Sequence, residues 1–562
     1  MRPLDWVVLC ASLVSIVAYG LYKGRGSNTV NSYLLAGKTM PWYAMALSIM
    51  ATQASAVTFI STTGQAYVDG MRFVQFYFGL PIAMVILAST AVPIFHRTNV
   101  YTAYEYLEKR FDAKTRAIVT VIFLIQRGLG VGLSIYAPAV VLTVLLGWPD
   151  QITTLVMGGL VILYTAMGGI KAVTWTDVQQ MLIIITGLFA ALFTAIWLLP
   201  SDISLLDAVS LAGAVGKLNA VDLKFDLNSR YNVWSGLIGG TFLAMAYFGT
   251  DQSQVQRYLS GKSIAQSRLS LLFNAVAKVP MQFLILFTGA MVFVFYLYQQ
   301  PPLLFEPVQL QRVEARADYK PVAERFSSAF EERKAAATRV VQARRAGDSA
   351  LERESLEQYR RAQNRLDTAR AQGAELARKA TGKTEVNDTN YIFLSFVTRY
   401  MPAGVVGLIM AVIFAAAMSA SSGEINSLAT VSVIDIYQRH VRRQGSDRHY
   451  LWVSRAATAF WGCYAVLFSQ FVKSTGSLVE AVNVVGSLFY GGMLGVFVLA
   501  FYFRRVRGNA AFIGVLAGEA AIFYSHWFTK ISFLWYNVLG CGVVVATALV
   551  ISVFENRAET AE

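Results

Sequence analysis

The chain has 562 residues, of which 55% are hydrophobic and only 15% charged, with 35 Phe and 27 Tyr. A soluble protein carries roughly 25% charged residues, so this composition excludes an ordinary soluble domain and indicates an all-α polytopic membrane protein. The net charge of +14 comes from basic residues in loops between apolar spans, which points to membrane topology and away from nucleic acid. The three cysteines and four histidines form no metal-ligand spacing. No Walker loop or nucleophile elbow occurs, which argues against ATP-driven transport and hydrolysis.

A helix needs about 20 apolar residues to cross a bilayer. In chain order that rule gives about thirteen spans, the first eight near 4–22, 41–64, 73–95, 117–146, 150–168, 177–198, 232–256 and 268–298. The rest lie near 401–437, 452–473, 476–503, 509–528 and 532–554. The first span lacks a small-residue cleavage site and reads as a retained helix. One set of alternate loops carries Lys23, Arg25, Lys38, Arg97, Arg116, Lys171, Arg257, Arg439 and Arg504. Basic loops stay cytoplasmic, which predicts an N-terminus outside and a C-terminus inside.

Residues 305–385 break the apolar pattern. Their Ala/Glu/Arg/Gln composition favours helix, and "RRAGDSA" supplies a turn with a Ser/Asp cap. The segment follows the eighth span on the outer side. Two readings stand: a solvated helical hairpin, or a docking surface for another protein.

Ionisable residues inside a membrane by default mark sites or pathways. Arg127 lies about ten residues into its span, or about 15 Å deep, near the midplane and without a counter-ion in its own span. Asp177 opens the sixth span. Lys278, Glu424, Glu480, Asn483 and Glu519 also fall in apolar segments. In "IFAAAMSASSGEINSLAT", Ser419, Ser422 and Asn426 stand at i, i+3 and i+7 and share one helical face. That face fits small-residue helix packing or a Na⁺ site built from hydroxyls and the carbonyls of a broken helix. The stretch "ALSIMATQASAVTFISTTGQAY" mixes small and polar residues over a spanning length and supplies such a partner.

The stretches "ATQASAVTFISTTGQAYVDG", "YTAMGGIKAVTWTDVQQ", "AYFGTDQSQVQRYLSGKS", "FAAAMSASSGEINSLATVSVIDIY" and "GSLFYGGMLGVF" occur in the order found in the sodium:solute symporters. On these stretches the chain resembles that family, with its sodium/glucose, sodium/monocarboxylate and sialic-acid transporters. The resemblance implies a LeuT-type fold of two inverted five-helix repeats, each with a broken first helix. Here the repeats would cover 41–198 and 232–503, joined by an outer loop at 199–231. One extra helix and loop, 1–40, would precede them, two helices in 504–562 would follow, and the 305–385 insert would interrupt the second repeat.

The same resemblance implies a main Na⁺ site from the carbonyls of Ala51, Ala54 and Ala416 and the hydroxyl of Ser419. The family's second hydroxyl position is Ala420 here, which leaves the site one side-chain oxygen short. A second Na⁺ site in some relatives uses an aspartate at the position of Asp177 with hydroxyls near Ser422, but Gly423 replaces one of them. For the substrate, the resemblance implies Ser55 and Thr58, with Tyr247 as an aromatic inner gate beside Phe248. Gln75, Phe78 and Asn483 are added from span geometry, and Arg127 resembles the arginine that grips a carboxylate in sialic-acid-transporting relatives.

The expectation is therefore a non-enzymatic symporter with Na⁺ as coupling ion, importing a small organic solute by alternating access. A carboxylate-bearing solute (a sugar acid or monocarboxylate) is favoured over a neutral sugar or polyol. A transporter-like sensor is disfavoured because no signalling module follows the last span. A monomer in a bacterial inner membrane completes the expectation.

Overall fold

In a computed structural model of the chain, residues 2–146, 150–382, 386–471 and 478–559 are described. The junction expected between 146 and 150, the end of the insert at 383–385 and the start of the span from 476 lie outside them. The described residues are mostly helical, and the β pairing among them is an isolated bridge between Met40 and Gly261. Among them, ten helices are long and apolar enough to cross a membrane.

The first helix, α1 (Pro3–Gly24), starts with proline, carries Asp5 in its first turn and ends with Lys23, an order that suits the helix dipole. Next come α2 (Trp42–Gln53) and α3 (Ala56–Asp69), separated by a break at Ala54 and Ser55. A 3₁₀ segment, Gly70–Tyr77, then leads into further apolar helix up to Thr98. After α4 (Ala113–Leu146) the chain enters α5 (Asp150–Trp197), which is 48 residues long. At 1.5 Å per residue it would reach about 72 Å, more than twice the hydrocarbon thickness. The helix is interrupted at Gly169, whose φ of 59° suits glycine. The two spans expected at 150–168 and 177–198 thus meet at a single-residue hinge, with Lys171 in the helix after it. A Cβ on Gly169 would also collide with the Tyr33 carbonyl.

The outer loop holds α6 (Leu205–Ala214). A π segment, Ser235–Gly239, leads into α7 (Gly240–Gly249), then α8 (Gln252–Leu259) and α9 (Ile264–Tyr298). Two of the cations assigned to loops are in fact buried. Arg257 lies inside α8 with no exposed surface, and Arg116 is buried against Asp435 and Glu108. Their positive charge is neutralised inside the fold and does not belong to the topology signal.

The insert is a hairpin of α10 (Tyr319–Ala346) and α11 (Ser349–Thr381). Gly347 adopts the left-handed conformation that ends α10, and Asp348 accepts from the Ala350 and Leu351 amides to start α11. The "RRAGDSA" turn therefore forms as the sequence predicts. Val322, Phe326, Phe330, Leu366 and Leu376 fill the seam between the arms. Arg345 donates to Asp207 Oδ2 (2.7 Å) and the Asp202 carbonyl (2.5 Å), Arg360 to the Ala214 carbonyl (2.8 Å), and Arg333 to the Tyr296 carbonyl (2.5 Å). The hairpin is thus docked on α6 and the end of α9.

The remaining helices are α12 (Val405–Val431), α13 (Asp447–Ser469), α14 (Leu478–Tyr502), α15 (Gly508–Phe528) and α16 (Phe533–Glu559). Nearly every residue of α12 is buried, because it packs against α3, α4, α5 and the end of α2 together. A helix buried on every side belongs at such a centre.

Candidate functional site

The site forms where α2 and α3 break beside α12. Ala54 leaves helical geometry (φ −83°, ψ 52°), and Ser55 takes an extended conformation as the N-cap of α3, accepting from the Thr58 amide. A helix end leaves its last carbonyls without intrahelical donors. Thr58 Oγ1 bonds the Gln53 carbonyl at 3.0 Å, while Ala51 and Ala54 stand at the same free end. Across from them, Ala416, Ser419 and Ser422 are buried on α12.

Asp177 joins this face from the second limb of α5. Its Oδ1 accepts from Ser419 Oγ at 2.6 Å, and its Oδ2 from Ser48 Oγ at 2.5 Å. Ser422 does not reach it: its hydroxyl donates to the Ser419 carbonyl at 3.1 Å. The Arg257 guanidinium completes the group, with Nη2 3.3 Å from Asp177 Oδ2 and Nε 2.9 Å from Ser48 Oγ. A Cβ on Gly423 would fall 2.2 Å from Arg257 Nη2. The absence of a side chain at Gly423 therefore makes room for a guanidinium. A cation already faces the carboxylate where the resemblance implies a second Na⁺.

Next to this cluster lies a cavity of about 140 Å³. Ser55, Thr58, Arg127, Tyr247 and Asn483, named above as candidate substrate contacts, line it, and so does Ala420. Gln75 and Phe78 do not. Gln75 Nε2 donates to the Tyr231 carbonyl (3.1 Å) while its Oε1 accepts from the Asp222 amide (2.8 Å), so it braces the outer loop. Phe76 and Tyr77 reach the cavity in place of Phe78.

Arg127 has the counter-ions its own span lacks. Nη1 donates to Glu424 Oε1 at 2.8 Å and Nη2 to the Tyr490 hydroxyl at 2.7 Å, and Nη2 is also ion-paired with Asp251. The guanidinium lies 5.7 Å from the Tyr247 ring centroid, a cation–π distance. Tyr247 packs edge-on against Phe248 and Tyr490, and its hydroxyl accepts from Gln254 at 2.7 Å. Of the other flagged residues, Glu480 pairs with Arg230 away from the cavity wall. Lys278 is buried, with its ammonium 5.2 Å from the Tyr77 ring centroid. Sequence reasoning missed Ser48, Arg257 and Asp251. Only the polar character of "TDQSQVQRYLS" inside an apolar region could have signalled the last two.

A discontinuous helix whose free end faces a polar stripe, beside a cavity enclosed in a membrane bundle, defines an ion-coupled transporter. The model of the sodium:solute symporter family matches residues 33–306 and 368–518, and the chain belongs to that family. Its members are sodium-coupled transporters rather than enzymes, and Na⁺ is the coupling ion. The unmatched stretch covers α10 and the first part of α11. The chain is 26% identical to the sodium/sialic acid symporter NanT of Aliivibrio fischeri, over all of this chain and 95% of that one. It is 27% identical to human sodium-coupled monocarboxylate transporter 1, over 92% and 72%. It is 26% identical to the sodium/glucose cotransporter of Vibrio parahaemolyticus, over 92% and 83%. A solved structure of a Na⁺-coupled sialic acid symporter, substrate-bound and outward-open, superposes with a TM-score of 0.77 over 98% of both chains, at 22% identity. That likeness fixes the fold.

Proposed function

We propose that the protein imports a small carboxylate-bearing organic solute together with one Na⁺ by alternating access. The observation that carries this reading is the guanidinium of Arg127 on the cavity wall, next to the break between α2 and α3. Paired N–H donors suit a carboxylate, and relatives named for sialic acid and monocarboxylates agree with it. Na⁺ would bind between Ser419 on α12 and the Ala51, Ala54 and Ala416 carbonyls, tying the broken helix to α12 and shaping the cavity beside it. Substrate and ion then strengthen each other's binding. The guanidinium beside Asp177 supports a single Na⁺ per cycle, because a second would meet a fixed positive charge.

A neutral sugar or polyol is the second reading, favoured by the fact that Glu424 and Asp251 already neutralise Arg127. Uptake into proteoliposomes under a Na⁺ gradient separates the two. A carboxylate should accumulate and its amide should not; the reverse selects the neutral solute, and accumulation of neither sinks the symporter mechanism.

The reading includes thirteen crossings, with the Gly169 hinge separating two of them, and inverted repeats at 41–198 and 232–503. It places the N-terminus and the hairpin outside and the C-terminus inside, in a monomer in a bacterial inner membrane. Ser419→Ala is expected to raise the Na⁺ concentration for half-maximal uptake tenfold or more, the scale of about 1.5–3 kcal/mol for one polar contact to a charge. An unchanged Na⁺ dependence would remove Ser419 from the site. Replacing 320–380 with a short linker should leave uptake within about twofold of wild type, since the hairpin touches α6, the end of α9 and, through Arg370, the Tyr67 ring on α3, but not the cavity wall. Loss of uptake in the folded variant would instead make the hairpin part of the transport cycle, or the seat of an essential partner.

A further inference from the structure

The two counter-ions of Arg127 are held very differently. Asp251 is the N-cap of α8: its Oδ1 accepts from the Ser253 amide at 2.9 Å, and its Oδ2 accepts from the Tyr490 hydroxyl at 3.0 Å as well as from Arg127. It has no exposed surface and lies off the cavity wall. Glu424 is on that wall. Its Oε1 accepts from Arg127, and its Oε2 is buried without a hydrogen bond. Asp251 is thus a fixed partner already sufficient for one guanidinium, whereas Glu424 is a surplus carboxylate on the cavity wall, one of whose oxygens has no hydrogen bond.

A solute carboxylate that reaches Arg127 meets Glu424 in its place. The solute would then put a further negative charge beside a displaced carboxylate in a poorly solvated cavity, where unpaired charge is costly. Lys278 does not relieve this, because its ammonium lies behind the Tyr77 ring and not on the wall. A solute that brings its own cation does relieve it. An ammonium has three donors, enough for both Glu424 oxygens. Because Arg127 and Glu424 are neighbours on the same wall, a solute that engages both would hold its carboxylate and ammonium close together, as on one carbon. The facing wall of Phe76, Leu80, Leu243 and Phe248 suits an apolar or aromatic side chain.

We propose that Glu424 is a specificity-determining residue that yields Arg127 to the solute carboxylate and receives the solute's ammonium, so that the transported solute is an apolar 2-amino carboxylate. This rests on the carboxylate-symporter reading and sharpens it.

Matched pairs test it in proteoliposomes under an inward Na⁺ gradient: L-phenylalanine with 3-phenylpropionate, L-leucine with 4-methylpentanoate, and L-alanine with propionate. The wild type should take up the amino member of at least one pair thirtyfold or more faster than its des-amino partner. Glu424→Gln should bring that ratio to within a few-fold, mainly by weakening the amino member. Glu424→Asp keeps the charge and should keep the preference at reduced affinity, which covers a folding defect in the glutamine variant. Na⁺-dependent uptake of des-amino acids at equal or greater rates overturns the proposal and leaves the carboxylate symporter standing. Proton entry with a des-amino acid, abolished by Glu424→Gln, also overturns it, because a proton would then be doing the work assigned to the ammonium. Uptake of none of the six solutes overturns the proposal, and Na⁺-dependent uptake of a sugar acid by the same vesicles then leaves the carboxylate symporter standing.

Discussion

Arg127→Met is expected to abolish Na⁺-driven uptake, because it removes the donor for the solute and leaves Asp251 and Glu424 buried without their shared cation. Breaking a buried pair by removing one partner costs about 3–5 kcal/mol, so the variant should also melt at a lower temperature. The two effects can be separated. Adding Glu424→Gln to Arg127→Met removes the surplus negative charge and should recover much of the thermal stability, while uptake stays at least a hundredfold below wild type. Uptake within a few-fold of wild type in either variant would make Arg127 a structural residue of the bundle and leave substrate recognition to other groups.

Arg257→Gln should change how the protein responds to sodium. In the wild type the guanidinium faces Asp177 and bonds Ser48, so the carboxylate is compensated whether or not Na⁺ is present. Without it, Asp177, Ser48 and Ser419 form an anionic pocket, next to the space left free at Gly423. The variant should lose about 3–5 kcal/mol of stability in sodium-free buffer and regain part of it as Na⁺ is added. Its uptake should rise more steeply with Na⁺ than the simple saturation expected of one ion. A melting temperature equally insensitive to Na⁺ in variant and wild type would mean that the pocket holds no ion even when vacated, and the account of Arg257 as a resident cation would fall.

The features that follow from local composition were legible in the sequence. The apolar spans, the hairpin with its Gly347–Asp348 turn and the break near Ala54 each depend on a short run of residues. So does the buried face carrying Ser419. Features that depend on pairing were not legible. The depth of Arg127 could be counted, but its partners come from α8 and α12, far away in the chain. Arg257 read as one more loop cation, because nothing local shows that Asp177 and Gly423 form a slot for it. Gln75 and Phe78 lie off the cavity wall for a different reason: the Gln75 amide is spent on the outer loop, and Phe76 and Tyr77 line the cavity.

The Arg257 guanidinium also bears on how far the transporter can concentrate its solute. A cation fixed to the chain returns with the empty carrier and dissipates no gradient, so only the mobile Na⁺ drives accumulation. With a tenfold sodium gradient and 100 mV, one Na⁺ moving with an electrically neutral solute supplies about 1.4 plus 2.3 kcal/mol, a limit of about 500-fold accumulation. A singly charged anion carried with the same ion would move no net charge and stop at about tenfold. The steady-state accumulation ratio, measured with and without a membrane potential, therefore reports the solute's charge even before its identity is known.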